Sequence, residues 1–533
     1  MRIRMGRYRY VAAAATLLAA STAPAAVPNV TLLVKAAGTE NIIRNDIGRF
    51  TFGGGVEHQN PQFRDAMSRD SNAQAAFRSF NLGTFRFPNG TTGLHYYWDR
   101  PKDSYISVTG PRPEDILTPD DVYKITGALN MERLFEVNTA QYLSPEYKLY
   151  PVIKPGSNPA AIEPQNLALA AGSAARWVAE NTARPLSQRV NYWEIGNEDW
   201  VYWTPAEYAR IFNEFGSRMK AVRPDIKLLA QSFTGALTPQ GKPTNDYNWL
   251  QGLVNGGINT SQVYALSEHQ YMDGGTFTVG SYNDQRIWQT QNMFAKVQNE
   301  WRIPYIKNVL KQNHLDWKIW MTEFNVAPKG PNGNLAVLQD LGHALVITDW
   351  VGKMLERGVD RLFMHSLDHN PYYALVNYVN DGGTIDSPRF TAPGYAFQKY
   401  AREFGKKMVR TEILGNATLS SPNSGSYDQV AAYSSVMESD PVYGGYPSLR
   451  VMVINRSTTD SANVAIKTVN RPIAGPSRNY YVQTLTSANI SDSNRSQPDL
   501  VKWSARSAAS SNTAAIVRTI PKNSAMFFVV PLQ

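Results

Sequence analysis

Eight short β-rich runs, FTFGGGV, GTFRF, RLFEVNT, NYWEIGN, IKLLAQSF, VYALSEHQY, KIWMTEFN and RLFMHSL, recur between residues 50 and 400 with helical patterns between them. A chain that alternates strand and helix in this way builds a parallel sheet, because each parallel connection needs a crossover, usually a helix. Eight such units predict an α/β fold, a (β/α)8 TIM barrel with loop insertions. The helix starts are explicit. Thr118 precedes Pro119 with Asp121 at the third helical position, and Thr204 precedes Pro205 with Glu207 there, joining an N-cap, a first-turn proline and an acidic first turn. A further helix is predicted from about Leu335 to Arg357, stopping at Gly358, which suits a left-handed cap.

Beyond Gly405 the pattern changes. YDQVAAYSSV, SLRVMVINRS, SANVAIKTVN, RNYYVQTLTS and AMFFVVPLQ lie between Ser/Asn/Pro/Gly clusters and predict a C-terminal antiparallel β-sandwich. VTLLVKA at 30–36 precedes the first barrel strand, has no helical partner and is expected to join that sandwich. The divisions are therefore 1–26, 27–48, 49–404 (barrel) and 405–533 (sandwich). Residues 1–26 read as a signal peptide: four arginines and no acid in MRIRMGRYRY, then a short apolar run closing on Ala23 and Ala25. That run is shorter than the roughly 20 residues of a spanning helix. An uncleaved anchor or a buried N-terminal helix is the plainer alternative. The expectation is a secreted or periplasmic protein with no membrane attachment after cleavage; the oligomeric state is not legible.

The chain has no cysteine, which removes disulfides, thiolate metal sites and cysteine nucleophiles. The net charge of +9 drops by the leader's four arginines on cleavage. No Lys/Arg run forms a nucleic-acid patch, so no nucleic-acid partner is expected.

In such a barrel the active site gathers at the C-terminal ends of the strands, so a polar residue closing an apolar strand is informative. Glu198 in NYWEIGNEDW and Glu323 in KIWMTEFN fit that description best. They lie on the fourth and seventh strands, on opposite sides of the barrel mouth. Glycosidic cleavage needs such a pair: one carboxyl protonates the departing oxygen while the other attacks the anomeric carbon or activates water against it. An ionised nucleophile keeps a neighbouring acid protonated, and forming the glycosyl ester removes that charge, freeing the acid to act as base. For a lone strand-end glutamate, a structural ion pair is the plainer reading. The context points the other way: Asn197 offers an amide to a sugar hydroxyl, and Trp193, Trp200 and Trp203 offer stacking faces. Glu194, on the same strand, is read as structural. His269 alone would be an ordinary core or rim histidine, and Arg86 an ordinary buried ion-pair residue, although an arginine near Glu323 would hold that carboxylate ionised.

WEIGNE followed by MTEFN resembles clan A of the glycoside hydrolases, and within it most closely family 51, the α-L-arabinofuranosidases and some endoglucanases. FGGGVEH (52–58) is similar to the family's first-strand Gly-x-Phe-x-Glu-His, which implies a sugar contact for Glu57. RFPNGTTGLHYYW (86–98) resembles the second-strand motif, with Arg86, Pro88, Gly90, Tyr96 and Trp98 at matching spacing, and FEVNT, with Asn138, resembles the Val-Asn segment. In SEHQY the resemblance implies that Tyr271 hydrogen-bonds the nucleophile and His269 lines the pocket. It implies a retaining enzyme with Glu198 as acid/base and Glu323 as nucleophile. Substrate contacts would come from Glu57, Arg86, Asn138, Asn197, His269, Tyr271, Trp98 and Trp200, and the partner would be a polysaccharide or oligosaccharide. The family's Pro-Gly-Gly-Asn is here Pro88, Asn89, Gly90, Thr91, so the asparagine that would touch the sugar is absent, which bears on arabinofuranose as the substrate. Aromatic loops at 275–288 and 369–383 would suit a polymer.

Other classes fit less well. His58, His269, His365 and His369 lack the spacing of a zinc site and no phosphate-cradling Gly-rich motif opens a helix, so neither metal nor cofactor is expected. A polysaccharide lyase using Tyr271 and His269, a clan A glycanase on xylan, a uronide or a marine galactan such as agar, and a non-catalytic carbohydrate-binding protein are the competing readings.

Overall fold

The computed structural model describes residues 29–104, 116–143, 149–152, 161–233, 248–273, 299–327, 339–368, 374–379, 385–421, 425–476, 478–495, 497–511 and 514–533. The leader, the loop 275–288, His369 and much of the loop 369–383 lie outside them.

Each of the eight predicted runs forms a strand of one closed parallel barrel: β1 (Phe52–Gly55), β2 (Thr84–Phe87), β3 (Glu132–Val137), β4 (Tyr192–Ile195), β5 (Lys227–Ser232), β6 (Val263–Asp273), β7 (Lys318–Ala327) and β8 (Arg361–His365). β8 closes onto β1 through Leu362 opposite Phe52 and His365 opposite Gly55. Inside, Leu134, Leu229, Ala265, Trp320 and Phe363 pack as an apolar layer. Above it, toward the C-terminal ends, the inward positions turn polar: Arg86, Glu136, Glu194, Ser267 and Thr322, all buried.

The helix starts form as capping boxes. Thr118 accepts from the Asp121 N–H, and Thr204 from that of Glu207, each acid answering the cap residue's own N–H. The helix before β8 runs Leu341–Arg357 and ends on Gly358 at φ 80°. It begins later than its periodicity suggested, because the Asp340 carboxylate accepts from the His343 N–H at 2.9 Å and fixes the cap there. Among the described residues no helix is long and apolar enough to cross a membrane.

The C-terminal part is a sandwich of two sheets. Val30–Lys35 lies in the four-stranded sheet between Thr411–Leu414 and Ala462–Val469, and the facing seven-stranded sheet includes Ile42–Arg44, Ser448–Asn455 and Ser524–Pro531. The pairing of Val30–Lys35 with Ala462–Val469 is parallel, an exception to an otherwise antiparallel domain. Val30, Leu32 and Val34 point into the core with Val451, Val453 and Phe528.

Candidate active site

The segment after β4 sets the geometry of Glu198. Gly196 has φ 78°, and a Cβ there would fall 1.5 Å from Asp199 Oδ2 and 2.8 Å from Thr139 Oγ1, so only glycine fits. Glu198 itself sits in the left-handed region at φ 52°, which costs a non-glycine residue about 1 kcal/mol or more. Two features hold it there: its N–H donates to Gln231 Oε1 at 3.1 Å, and it opens the short turn Asp199–Val201. Its side chain is 29% exposed, whereas that of Glu323 is 4% exposed. A proton can therefore be exchanged with solvent at the first and is shielded at the second.

Arg86 is the centre of the buried layer. Its Nε donates to Glu194 Oε2 at 2.6 Å, Nη1 to Glu323 Oε1 at 2.5 Å and to Asn89 Oδ1 at 2.9 Å, and Nη2 to Asn197 Oδ1 at 2.8 Å, with Glu136 Oε2 at 3.0 Å from Nη2. The other oxygen of Glu323 accepts from the Tyr271 hydroxyl at 2.5 Å. Burial alone would push the Glu323 carboxyl up; the charges of His269, His365 and Arg86 and the Tyr271 hydrogen bond outweigh it and hold Glu323 ionised, well below the usual carboxylate range. Glu194 is opposed by burial but held at about 2 by Arg86 and His269. At Glu136 the same two cations do not prevail. Burial outweighs Arg86 and lifts it well above the ordinary carboxylate value.

His269 Nδ1 stands 3.1 Å from Glu198 Oε1 and 3.6 Å from Glu323 Oε2. Burial disfavours its charge, but the carboxylates of Glu323, Glu194 and Glu198 around it prevail and push it up to about 10. Glu198, His269 and Glu323 each offer a ligand atom within 4.8 Å of the others. As a metal cage the trio is poor, because a protonated imidazole has no lone pair to give and Arg86 and Tyr271 already occupy both oxygens of Glu323.

Of the residues predicted from sequence, Glu57, Arg86, Asn197, Glu198, His269, Tyr271 and Glu323 come together at this mouth. Asn197 Nδ2 is buried with no hydrogen-bond partner among the described residues, a donor left for a ligand. Trp200 borders the site edge-on to His269, and Phe233 covers one of its faces at 5.0 Å. Trp98 and Asn138 do not reach the carboxylates. Trp98 stacks on Trp177 and donates to Ser173, while Asn138 Oδ1 accepts two turn N–H groups, from Ala140 and Gln141. Both line a hollow with Tyr97 and Gln141 that contains neither glutamate. Trp193 and Trp203 also offer no stacking face: alternation turns Trp193 outward onto Trp177, and Trp203 is buried with its N–H on Asp199. Sequence reasoning passed over Gln231, and it noted Asn89 in the strand-two motif and His365 among the histidines without assigning either to the site. Gln231 and His365 close apolar strands, the same signal that singled out Glu198 and Glu323.

A closed (β/α)8 barrel with two carboxylates facing each other across its mouth, ringed by buried hydrogen-bonding groups, defines a glycoside hydrolase. Comparison with known proteins bears this out: residues 167–287 match the family model described as the alpha-L-arabinofuranosidase 1 domain. The chain is similar in fold to the alpha-L-arabinofuranosidase of Thermotoga maritima, with a TM-score of 0.68, 16% identity and coverage of 94% of this chain and 100% of that one. It is similar to the GH51 arabinofuranosidase of Xanthomonas axonopodis pv. citri, with a TM-score of 0.69, 15% identity and coverage of 94% and 99%. A family 51 alpha-L-arabinofuranosidase of Bifidobacterium longum gives a TM-score of 0.67, 17% identity and coverage of 95% and 100%. No curated protein sequence matches the chain as a relative. The resemblance to family 51 read from the strand-end motifs thus recurs in the family model and in the fold.

Proposed function

We propose that the chain is an exported retaining glycoside hydrolase that cleaves a polysaccharide or oligosaccharide by double displacement, most like an α-L-arabinofuranosidase. The observation that carries this reading is the approach of the two glutamates, an oxygen of Glu198 lying within 4.8 Å of one of Glu323. Retaining enzymes hold their carboxyl groups about 5 to 5.5 Å apart, whereas inverting ones leave room for a water at about 6.5 to 9.5 Å. Glu323, kept ionised and aimed by Arg86 and Tyr271, attacks the anomeric carbon as Glu198 gives its proton to the departing oxygen. The C–O bond to the leaving group breaks and a glycosyl ester forms on Glu323. Glu198, now a carboxylate, takes a proton from water, which attacks the same carbon and releases Glu323. The unpartnered Asn197 amide is placed to bind a hydroxyl beside that carbon. Export rests on the leader's composition.

Thr91 at the place of the family's sugar-contacting asparagine favours a second reading of the substrate, a related glycanase acting on xylan, a uronide or a marine galactan. Chromatography of products from plant and algal polysaccharides separates the two. The mechanism is tested with Glu323→Gly, azide or formate, and activated aryl glycosides. Restored turnover is expected, with a glycosyl azide of inverted anomeric configuration in the azide arm; absence of rescue on every sugar that the wild type cleaves overturns the nucleophile assignment. Glu198→Ala should slow poor leaving groups far more than activated ones.

A further inference from the structure

The apolar run of β5 is closed by Gln231, whose side chain is wholly buried inside the barrel between β4 and β6. Its Nε2 donates to Glu194 Oε1 at 2.8 Å and to the Gly196 carbonyl at 3.0 Å, with Ser267 Oγ at 3.2 Å, and its Oε1 accepts from the Glu198 N–H at 3.1 Å. A carboxylate and a carbonyl only accept, and a peptide N–H only donates, so the amide has one workable orientation. In it, a single carboxamide clasps both ends of the segment 196–198.

That segment needs a hold from outside itself. Gly196 at φ 78° and Glu198 at φ 52° both lie in the left-handed region, which a glutamate disfavours, and the Glu198 side chain makes no capping hydrogen bond to the turn it opens. Its carboxyl is 29% exposed and is met by His269 Nδ1 at 3.1 Å, so its direction is set from the backbone and not by an enclosing pocket. The hydrogen bonds continue past Gln231: Glu194 Oε2 accepts from Arg86 Nε at 2.6 Å, and Arg86 Nη1 donates to Glu323 Oε1 at 2.5 Å. An unbroken run thus leads from the backbone of the acid/base to the carboxylate of the nucleophile. The Gln231 backbone is fixed independently, its N–H donating to the Tyr208 hydroxyl at 2.7 Å and its carbonyl accepting from the Trp249 indole N–H at 3.2 Å. A change of side chain leaves those two bonds in place.

We infer that Gln231 is a positioning residue for the acid/base: it holds the Glu198 backbone in its left-handed geometry and so sets where that carboxyl stands relative to Glu323. This rests on the glycoside hydrolase reading above. Without the amide, the Glu198 N–H and the Gly196 carbonyl lose their shared partner, the segment relaxes toward ordinary backbone angles, and the carboxyl swings away from the departing oxygen. The nucleophile keeps Arg86 and Tyr271.

The test is Gln231→Met, which keeps the length of the side chain and removes the amide. On glycosides of a sugar that the wild type cleaves, kcat/KM for poor leaving groups should fall by on the order of 10- to 100-fold and for activated aryl groups by less than about 3-fold, because only the former need the proton of Glu198 in the first step. A second arm adds Gln231→Met to Glu198→Ala and measures kcat/KM on an activated glycoside, with azide present to release the glycosyl enzyme. No further loss is expected, since a residue that acts only through Glu198 then has nothing to position. Gln231→Asn keeps an amide too short to reach Glu194 and the Glu198 N–H together; it should show the same selectivity, and it decides the question if the methionine variant does not fold. Equal loss on both classes of leaving group, or a further loss in the Glu198→Ala background, overturns the inference, because Gln231 would then serve the nucleophile or the fold at large. Those outcomes presuppose a wild type that turns over. A wild type that cleaves no glycoside would instead sink the glycoside hydrolase reading, and this role with it.

Discussion

Arg86 keeps the buried layer electrically balanced. With His269 protonated, two cations face the two ionised carboxylates Glu194 and Glu323, while burial lifts the Glu136 carboxyl well above its ordinary value despite Arg86 beside it. Asp199, next to Glu198, is another buried acid, and no cation opposes its burial. Burial is the main cause, only partly offset by hydrogen bonds from Thr139 and Trp203, and pushes it up to about 8. The folded protein then holds a proton that the unfolded chain releases near the ordinary aspartate value of 3.8. The stability this proton confers is fully present below that value and is lost as the pH rises toward about 8, by up to about 1.4 kcal/mol per pH unit. Asp199→Asn keeps the acceptor for Thr139 and Trp203 and removes the titration. Its melting temperature should gain on the wild type steadily between pH 5 and 8, and a pH-independent difference would contradict the assignment. At this scale the sequence revealed which residues close apolar strands. It could not reveal which of them share Arg86, because that depends on the diameter of the closed barrel.

Strand identity was legible because a run buried on both faces in a parallel sheet is apolar throughout and is bounded by helix caps. Side-chain direction was less so. The pairing of β6 with β7 shifts register between Glu268 and His269, and that of β7 with β8 between Met321 and Phe324. Such bulges break the period of two and let neighbouring residues face the same way. Thr322 reaches Glu194 while Glu323 reaches Arg86, an arrangement strict alternation would forbid. Tryptophan near a catalytic motif was likewise a weak guide, since Trp193 and Trp203 serve the helix layer and the turn. Caps, being local, were read correctly. Thr204→Ala removes the hydroxyl that accepts from the Glu207 N–H and should cost about 1 kcal/mol, read as a lowered melting temperature with activity retained.

At the scale of the whole molecule, barrel and sandwich meet through a buried ion pair. Asp349, on the helix Leu341–Arg357, binds Arg456 at 2.6 Å and accepts from the Tyr433 hydroxyl at 2.6 Å, and the Tyr433 ring lies where a Cβ on Gly352 would be. Arg456→Met leaves the carboxylate buried without its counter-ion and should destabilise by about 3 to 5 kcal/mol. Adding Asp349→Leu should restore much of that loss in calorimetry; equal melting points for single and double variants would show that the pair does not hold the two parts together. The same sandwich places Val30–Lys35 between strands contributed by residues 411–414 and 462–469. During synthesis this β-prone stretch emerges long before either of its neighbouring strands can pair with it. Its apolar face, Val30, Leu32 and Val34, is meanwhile open to any strand it meets. A chain cut off before residue 411 would keep that sticky strand without either partner, so the order of synthesis makes two late strands the cover of an early one.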